Sequence, residues 1–192
     1  MKDNKSFDFS SLIARLSDKD EPVFTHGKRV ARFACAVARI MKYPGVEVKI
    51  IHNASVVHDI GKLGLPAEII NKPGVLSEEE IVVIRKHPGL GYSLLTQIIR
   101  SESIIAQVAL QHHERLNGSG YPFGLRGDEI IPIARIITVA DVVDTMVSPQ
   151  VYRPALTMDE AAGEIKQNSG LLYDSRVVAA SLLFIGKGKF SV

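Results

Sequence analysis

The chain has 192 residues, of which 46% are hydrophobic and 23% charged, and its formal net charge is +2. This length fits one domain, or two very small ones, and the composition excludes a largely disordered chain. The near-neutral charge balance provides no basic surface for binding bulk nucleic acid or a membrane. Cys35 is the single cysteine, so no disulfide can form within the chain, which fits a reducing compartment.

The chain contains no obvious membrane-spanning or secretory segment. The most apolar stretch near its end, Val177–Ile185, has about half the length that a bilayer requires. Residues 1–11 carry charges but lack the apolar core of a signal peptide. We therefore expect a cytoplasmic protein, with residues 1–20 as a lead-in segment and residues 21–192 as one functional domain.

Apolar residues recur with the period of an α-helix along nearly the whole chain. This pattern predicts helices over Gly27–Tyr43, over about Glu47–Asp59 and over about Ser103–Arg115. A further helix is expected to begin after Ser77, which is a favourable N-cap, and to be interrupted at Pro88.

The second half of the chain continues the helical pattern after one break. Residues 117–127 are rich in glycine and form the longest stretch without helical character. Beyond them, helices are predicted from Pro132 to about Met146, after the N-cap Thr157, and after Asp174. No strand-like alternation of useful length occurs, so the predicted fold is all-α, a single compact helical bundle.

Several histidines and aspartates continue the apolar faces of these helices. His26 lies one helical turn before Val30, and Asp141 continues an otherwise apolar stripe. An isolated buried carboxylate would cost several kcal/mol, so Asp141 should be paired or bound to a metal. One inward-facing histidine is more often a core residue than a ligand. The whole set, however, suits Fe, Mn or Zn.

Two long motifs resemble those of a known family. The segment HDIGKLGLP, residues 58–66, is similar to the signature of the HD superfamily of metal-dependent phosphohydrolases. The segment HHERLNGSGYPFGLRG, residues 112–127, resembles the second signature of the HD-GYP domains within that superfamily. Shorter matching segments lie around His26, His87 and Asp141 in the same order. The resemblance therefore covers nearly the whole chain.

The resemblance implies a helical bundle that binds two or three metal ions, often iron, and hydrolyses cyclic di-GMP to the linear dinucleotide or to GMP. The metal ligands that it implies are His26, His58, Asp59, His87, His112, His113 and Asp141. They divide into His26, His58 and Asp141 for one ion and His87, His112 and His113 for the other, with Asp59 bridging both. The expected cofactors are two divalent ions, Fe or Mn.

The chemistry of phosphodiester hydrolysis explains these residue types. Two metal ions about 3.5–4 Å apart can bind the phosphate and lower the pKa of a bridging water, so that hydroxide attacks near neutral pH. Asp59 has two oxygens with which to bridge the ions. Lys62, predicted to be catalytic with Asp59, would stabilise the charge that grows on the phosphate oxygens.

The resemblance also implies contacts with a cyclic dinucleotide substrate. The residues assigned to these contacts are Lys62, Gly120, Tyr121, Pro122 and Arg153. The Gly120–Tyr121–Pro122 loop is also a candidate surface for a signalling partner protein. Gln150 stands where the family has a basic residue that contacts phosphate, which puts substrate affinity in doubt.

The sequence leaves alternatives open for the number of metal ions and for the substrate. Family members with a third ion carry a glutamate four residues before the first histidine ligand, where this chain has Pro22. We therefore predict two ions, unless Glu21 reaches the site. The alternative functions are hydrolysis of another cyclic dinucleotide or nucleotide, and a weakly active module that binds cyclic di-GMP or a protein.

Overall fold

The computed structural model describes residues 9–99, 103–149 and 154–188, which form ten α-helices and no β-sheet. The helices are α1 (Phe9–Lys19), α2 (Glu21–Ile40), α3 (Gly45–Val57), α4 (Ala67–Ile70), α5 (Glu78–Ile84), α6 (His87–Ile98), α7 (Ile104–Gln111), α8 (Pro132–Val147), α9 (Met158–Gln167) and α10 (Ser175–Ile185). Short 3₁₀ turns occupy Ile60–Gly64 and Gly127–Glu129. The predicted all-α fold is confirmed.

Three predicted helix starts are confirmed by their N-cap hydrogen bonds. Ser77 and Thr157 each form a capping box with the glutamate three residues later. The Asp174 carboxylate accepts hydrogen bonds from two backbone N–H groups in the first turn of α10. These caps satisfy N–H groups that have no partner within the helix.

Other helix ends differ from the predicted positions. Helix α2 begins before the predicted Gly27, because Asp20 accepts a hydrogen bond from the Val23 N–H at 3.1 Å and so caps an earlier turn. The helix after Ser77 already ends at Ile84, before Pro88, and Pro88 instead lies in the first turn of α6. Helix α7 ends at Gln111, short of the predicted Arg115.

Helix α1 lies within the segment that we expected to be a lead-in. Its Leu12 and Leu16 are buried in an apolar cluster with Val23, Ile60 and Leu95. This burial stabilises a helix that the charged start of the chain does not suggest. The short helix α4 was not predicted either.

The main core surrounds α2 and α8, with Phe33 and Ile137 fully buried between the helices. Close backbone packing also joins the 3₁₀ turn Ile60–Gly64 to α6. A Cβ atom on Gly61 would lie 1.9 Å from the His87 carbonyl oxygen, so only glycine fits there. This contact brings the residue before the turn, Asp59, next to the start of α6. None of the described helices is both long and apolar enough to cross a bilayer.

Candidate metal centre

The structure brings together all seven residues that the resemblance implies as metal ligands. Their potential ligand atoms form two groups, and within each group the atoms lie within 4.8 Å of one another. The groups are Asp59, His87, His112 and His113, and His26, His58 and Asp141. Most of these residues lie at helix ends, where the backbone leaves the helix and side chains from several helices can converge.

Asp59 lies between the two groups, and its two carboxylate oxygens face different groups. Asp59 Oδ1 is 3.1 Å from His87 Nε2 and 3.6 Å from His112 Nε2. Asp59 Oδ2 is 3.6 Å from His58 Nε2 and 3.8 Å from His26 Nε2. This is the placement that a bridging carboxylate requires.

Three of the histidines are oriented by backbone carbonyl groups in the preceding turn. The Nδ1–O distances are 2.6 Å for His58 and Ser55, 2.8 Å for His87 and Ile84, and 2.9 Å for His112 and Ala109. A carbonyl oxygen can only accept, so each Nδ1 carries the hydrogen. In a neutral ring, Nε2 then presents a lone pair to the centre, and metal-binding histidines are commonly oriented in this way.

The Nε2 lone pairs of these histidines face one another and the Asp59 carboxylate. His87 Nε2 and His112 Nε2 are only 3.2 Å apart. The buried atoms His58 Nε2 and Asp59 Oδ1 have no hydrogen-bond partner among the described residues. Leaving such a buried atom without a partner costs about 1–3 kcal/mol. Cations at the centre would remove this cost, so the donors present fit divalent metal ions, with nitrogen and carboxylate ligands suited to Fe, Mn or Zn.

The two groups differ in their electrostatic environment. Burial opposes a charge on His26, but the carboxylates of Asp141 and Asp144 raise its pKa to about 10. Burial instead lowers the pKa of His112 to about 4. Burial also opposes ionisation of Asp59, yet the Lys62 ammonium holds the pKa of this carboxyl well below its usual value. The bridging position is therefore an anion.

Asp144 is a functional candidate that the sequence analysis did not identify. Its carboxylate is fully buried, and Oδ2 lies 2.7 Å from His26 Nδ1. The Arg29 guanidinium donates to the same carboxylate, with Nε 2.8 Å from Oδ1. Asp144 thus orients the His26 ring through its outer nitrogen. The available signal was its position three residues after Asp141, on the same helical face.

Lys62 lies against the bridging carboxylate. Its ammonium donates a hydrogen bond to Asp59 Oδ2, and 28% of its side chain is exposed. Burial would lower the pKa of Lys62, but Asp59 raises it, so the side chain is a cation. Lys62 therefore lies beside the metal-ligand candidates, and its partner in this structure is Asp59. Its catalytic role stays a prediction.

Tyr121 lies beside the metal-ligand candidates. Its ring stacks on the His113 ring, with centroids 4.7 Å apart and planes inclined by 25°. The Arg85 guanidinium lies 5.2 Å from the centroid of the same tyrosine. Burial raises the pKa of the Tyr121 hydroxyl, which therefore stays protonated. The next residue, Pro122, follows a cis peptide bond and is exposed.

Gly120 and Glu114 hold the loop that carries Tyr121. A Cβ atom on Gly120 would lie 2.4 Å from the Glu114 Cα. This glycine therefore packs directly on the backbone at the start of the second motif. The buried Glu114 carboxylate accepts hydrogen bonds from the N–H groups of Phe123 (2.8 Å) and Leu125 (3.0 Å). The sequence analysis did not identify Glu114, which occupies the third position of the HHE segment.

Two further residues of the sequence analysis cannot be placed. Gln150, where the family has a basic residue, and Arg153, assigned to substrate binding, both lie outside the described residues. The assignment of Arg153 stays a prediction.

Two curated proteins are similar to this chain over most of its length. The cyclic di-GMP phosphodiesterase response regulator RpfG of Xanthomonas campestris is 42% identical over 90% of this chain and 46% of its own length. The 3'3'-cGAMP-specific phosphodiesterase 3 of Vibrio cholerae is 35% identical over 81% of this chain and 34% of its own length. The chain therefore spans less than half the length of these curated relatives.

A solved structure has the same fold. Bd1817, an HDG"Y"P protein of Bdellovibrio bacteriovorus, matches with a TM-score of 0.71 at 18% identity, over 92% of this chain and 57% of that chain. A family model described as HD domain matches residues 10–177. This match spans most of the sequence and begins within α1. The chain belongs to the HD domain family, which confirms the family predicted from its two motifs.

Proposed function

We propose that this chain is a metal-dependent phosphodiesterase that hydrolyses cyclic di-GMP to the linear dinucleotide or to GMP. The observation that carries the proposal is the position of Asp59, whose two oxygens face two separate groups of ligand atoms. A single-ion site needs no carboxylate in this position. The relatives named as phosphodiesterases support the same class of reaction.

The metal-binding residues of the proposal are the seven that converge at the centre. One ion is assigned to His26, His58 and Asp141, and the other to His87, His112 and His113, with Asp59 shared. When bound, divalent ions supply Lewis acidity toward a phosphodiester and a means of ionising water near neutral pH. The donor set of imidazoles and carboxylates suits Fe or Mn.

Lys62 and Asp59 act as a pair in the proposed reaction. In this structure, the ammonium neutralises part of the charge on the bridging carboxylate. Divalent ions bound at the centre would share that charge, and the Lys62 ammonium would then be free to contact phosphate oxygens of the substrate. A positioned cation is most effective where negative charge grows in the transition state.

The substrate approaches the half-buried side of the centre. His26 and His113 are the least buried of the seven residues, and Tyr121 lies beside His113. We assign Gly120, Tyr121, Pro122 and Arg153 to the substrate side, in keeping with the resemblance. In this role Gly120 acts indirectly, because its tight packing sets the position of the tyrosine.

The proposed centre holds two ions. Glu21 belongs to neither group of ligand atoms among the described residues, and its carboxylate accepts a hydrogen bond from the Thr25 hydroxyl at 2.6 Å. Pro22 offers no side-chain oxygen. Metal analysis of anaerobically purified protein should give about two ions per chain, and three well-occupied sites with Glu21 as a ligand would contradict this assignment.

The decisive experiment is an anaerobic assay of the protein loaded with Fe(II) or Mn(II). Cyclic di-GMP is supplied, and the products are separated by chromatography. We expect the linear dinucleotide or GMP from the loaded protein and neither from protein treated with a chelator. Binding of cyclic di-GMP without turnover would favour a binding module instead.

A second substrate is favoured by one specific comparison. The 3'3'-cGAMP-specific relative shares 35% identity with this chain, close to the 42% of the cyclic di-GMP relative. The same assay should therefore include 3'3'-cGAMP at matched concentration. A larger kcat/KM for 3'3'-cGAMP would reassign the substrate and leave the reaction class unchanged.

A protein partner would meet the exposed tip of the loop. Pro122 is exposed, and the Phe123 side chain beside it is 65% exposed. An exposed aromatic ring on a loop held by Glu114 is a suitable anchor for a signalling partner. Phe123→Ser should weaken such binding while leaving the metal content unchanged.

A further inference from the structure

Thr138 is a buried polar residue of α8 that has no part in the mechanism above. Its hydroxyl donates a hydrogen bond of 2.8 Å to the backbone carbonyl of His112. The bond spans 26 positions of the chain and joins α8 to the end of α7. The Arg115 guanidinium approaches the same oxygen, with Nη1 at 3.5 Å, so the hydroxyl makes the shorter contact.

The carbonyl of His112 belongs to the peptide unit that leads into His113. A peptide unit is planar, so a hydrogen bond to its oxygen also restrains the nitrogen and the Cα atom of the next residue. The φ angle and the side-chain torsions of His113 then remain to place its imidazole. The bond from Thr138 therefore acts on His113 as well as on His112.

The peptide unit that follows His113 is held by a different part of the molecule. The backbone N–H of Tyr121 donates to the His113 carbonyl at 3.3 Å, and the Tyr121 ring stacks on the His113 ring. His113 thus lies between two restrained peptide units, one held by the loop that carries Tyr121 and the other by α8. Of these two hydrogen bonds, the one from Thr138 comes from a side chain and can be removed by substitution.

We propose that Thr138 is a positioning residue for His113. The inference rests on the proposed function, since it takes His113 as a metal ligand. Asp141 and Asp144 follow Thr138 at intervals of three residues, so successive members of this series are neighbours on one side of α8. Asp141 belongs to the other group of ligand atoms, and Asp144 orients His26. One helix thereby fixes residues in both groups relative to each other.

The expected effect is confined to one ligand. The His112 ring is oriented by its own bond, because Nδ1 donates to the Ala109 carbonyl at 2.9 Å. Removing the Thr138 hydroxyl leaves that bond in place, so the His112 ring keeps its direction. The peptide unit beyond it can then rotate toward the Arg115 guanidinium, and His113 moves with it.

The first test is Thr138→Val, which keeps the β-branched shape of threonine and replaces the hydroxyl with a methyl group. Competition between the protein and a coloured chelator for Co(II) measures the affinity for each of the two ions. We expect one affinity to fall about tenfold and the other to stay within about twofold. The visible spectrum of the bound Co(II) should change with it. Thr138→Ser keeps the hydroxyl and should restore the wild-type affinities and spectrum.

Two controls separate position from stability. Thr96→Val in α6 removes a bond of the same kind, from a threonine hydroxyl to the Ser93 carbonyl at 3.1 Å. Ile165→Val in α9 removes one carbon from a fully buried side chain of the main core and lowers the melting temperature. Both variants should keep the Co(II) affinities and the spectrum. A loss of affinity in Ile165→Val as large as that in Thr138→Val would reject the positioning role.

A measurement on the metal-free protein makes the inference independent of metal binding and of catalysis. The His113 ring protons lie against the Tyr121 ring, so its ring current shifts their magnetic resonance signals. We expect Thr138→Val to move these signals, to leave those of His58 in place, and Thr138→Ser to restore them. Unchanged His113 signals in Thr138→Val, or Co(II) affinities equal to those of the wild type, would overturn the inference. A metal-loaded wild-type protein that cleaves no cyclic dinucleotide would instead overturn the proposed function, and the His113 signals would still decide the role of Thr138.

Discussion

His112 and His113 are neighbours in the chain, but different kinds of contact orient their rings. His112 is fully buried, and its Nδ1 donates to the Ala109 carbonyl one turn earlier. His113 is half-buried, and its ring lies against the Tyr121 ring of a separate loop. Backbone contacts orient one ligand candidate, and a side chain orients the next.

The same difference divides the other histidines of the centre. His58 and His87 resemble His112, because a backbone carbonyl accepts from each ring. His26 resembles His113, because the side chain of Asp144 holds it. A backbone carbonyl cannot be removed by substitution, whereas a side chain can. Substituting the supporting side chain can therefore change the orientation of the His26 or His113 ring without replacing the histidine. Such variants test the geometry of the centre while its set of ligand residues stays the same.

The largest effect should come from Asp59, which both halves of the centre share. Asp59→Asn keeps the shape of the side chain but removes the charge and one acceptor oxygen. We expect turnover of cyclic di-GMP to fall by at least about 10³-fold, because the charge that holds both ions is lost.

Circular dichroism provides the control for this substitution, and the helical content should remain that of the wild type. Near-wild-type turnover by metal-replete Asp59→Asn protein would contradict the bridging role. That result would also show that the two groups of ligand atoms do not depend on a shared carboxylate.

Lys62→Ala tests the cation that lies beside Asp59. If Lys62 stabilises charge that grows in the transition state, the substitution should lower kcat by about 10²-fold and change KM much less. Steady-state kinetics of the metal-loaded protein measures both constants. A rise in KM alone would reassign Lys62 to substrate binding. The exposed Lys28→Ala on α2 serves as a control for loss of one positive charge.

Asp144→Asn loosens a histidine that a side chain orients. The variant keeps the volume of the carboxylate but gives the His26 ring a weaker partner. We expect metal affinity to fall by about 10–100-fold, the usual cost of losing such a contact. Competition with a coloured chelator measures this affinity. Asp159→Asn is the matched control, and equal affinities in the two variants would contradict the role of Asp144.

Local signals predicted much of the helical framework. The N-caps Ser77, Thr157 and Asp174 begin their helices because their hydrogen bonds are made within a few residues. The start of α8 at Pro132 is predicted for the same reason. Helix α1 was missed because burial against other helices stabilises it, and such contacts have no local signature.

The end of α7 illustrates a second limit. A regular helix would point His112 and His113 about 100° apart, yet both belong to one group of ligand atoms. The Thr138 hydroxyl on α8 donates to the His112 carbonyl at 2.8 Å where the helix stops. This contact joins residues far apart in the chain, so periodicity in the sequence could not predict it.

The sequence indicated which residues converge at the candidate site, but not which residues hold them in position. The resemblance implied all seven residues that converge, four of them in the two long motifs and the other three, His26, His87 and Asp141, in shorter matching segments. Asp144 and Glu114 were missed, since each acts by holding another residue and their partners lie far away in the chain or in a separate loop. Gly120 was assigned to the substrate side, which stays a prediction, and its tight packing on Glu114 adds a structural reason for glycine at this position.

The smallest effect should separate two possible roles of Tyr121. If the ring orients His113 by stacking, Tyr121→Phe should bind metal within about twofold of the wild type, and Tyr121→Leu should bind several-fold to about tenfold more weakly. The reason is that an aromatic pair contributes about 0.5–1.5 kcal/mol beyond burial, and only the leucine variant loses the pair.

Chelator competition measures the metal affinity of these variants, and the visible spectrum of the Co(II)-loaded protein reports any change in ligand geometry. Phe123→Leu, which alters an exposed ring of the same loop, should change neither. A loss of kcat/KM in Tyr121→Phe without a change in metal affinity would show that the hydroxyl contacts the substrate. Equal metal affinity and spectra in the phenylalanine and leucine variants would contradict the positioning role, and His113 would then be held as independently of side chains as His112.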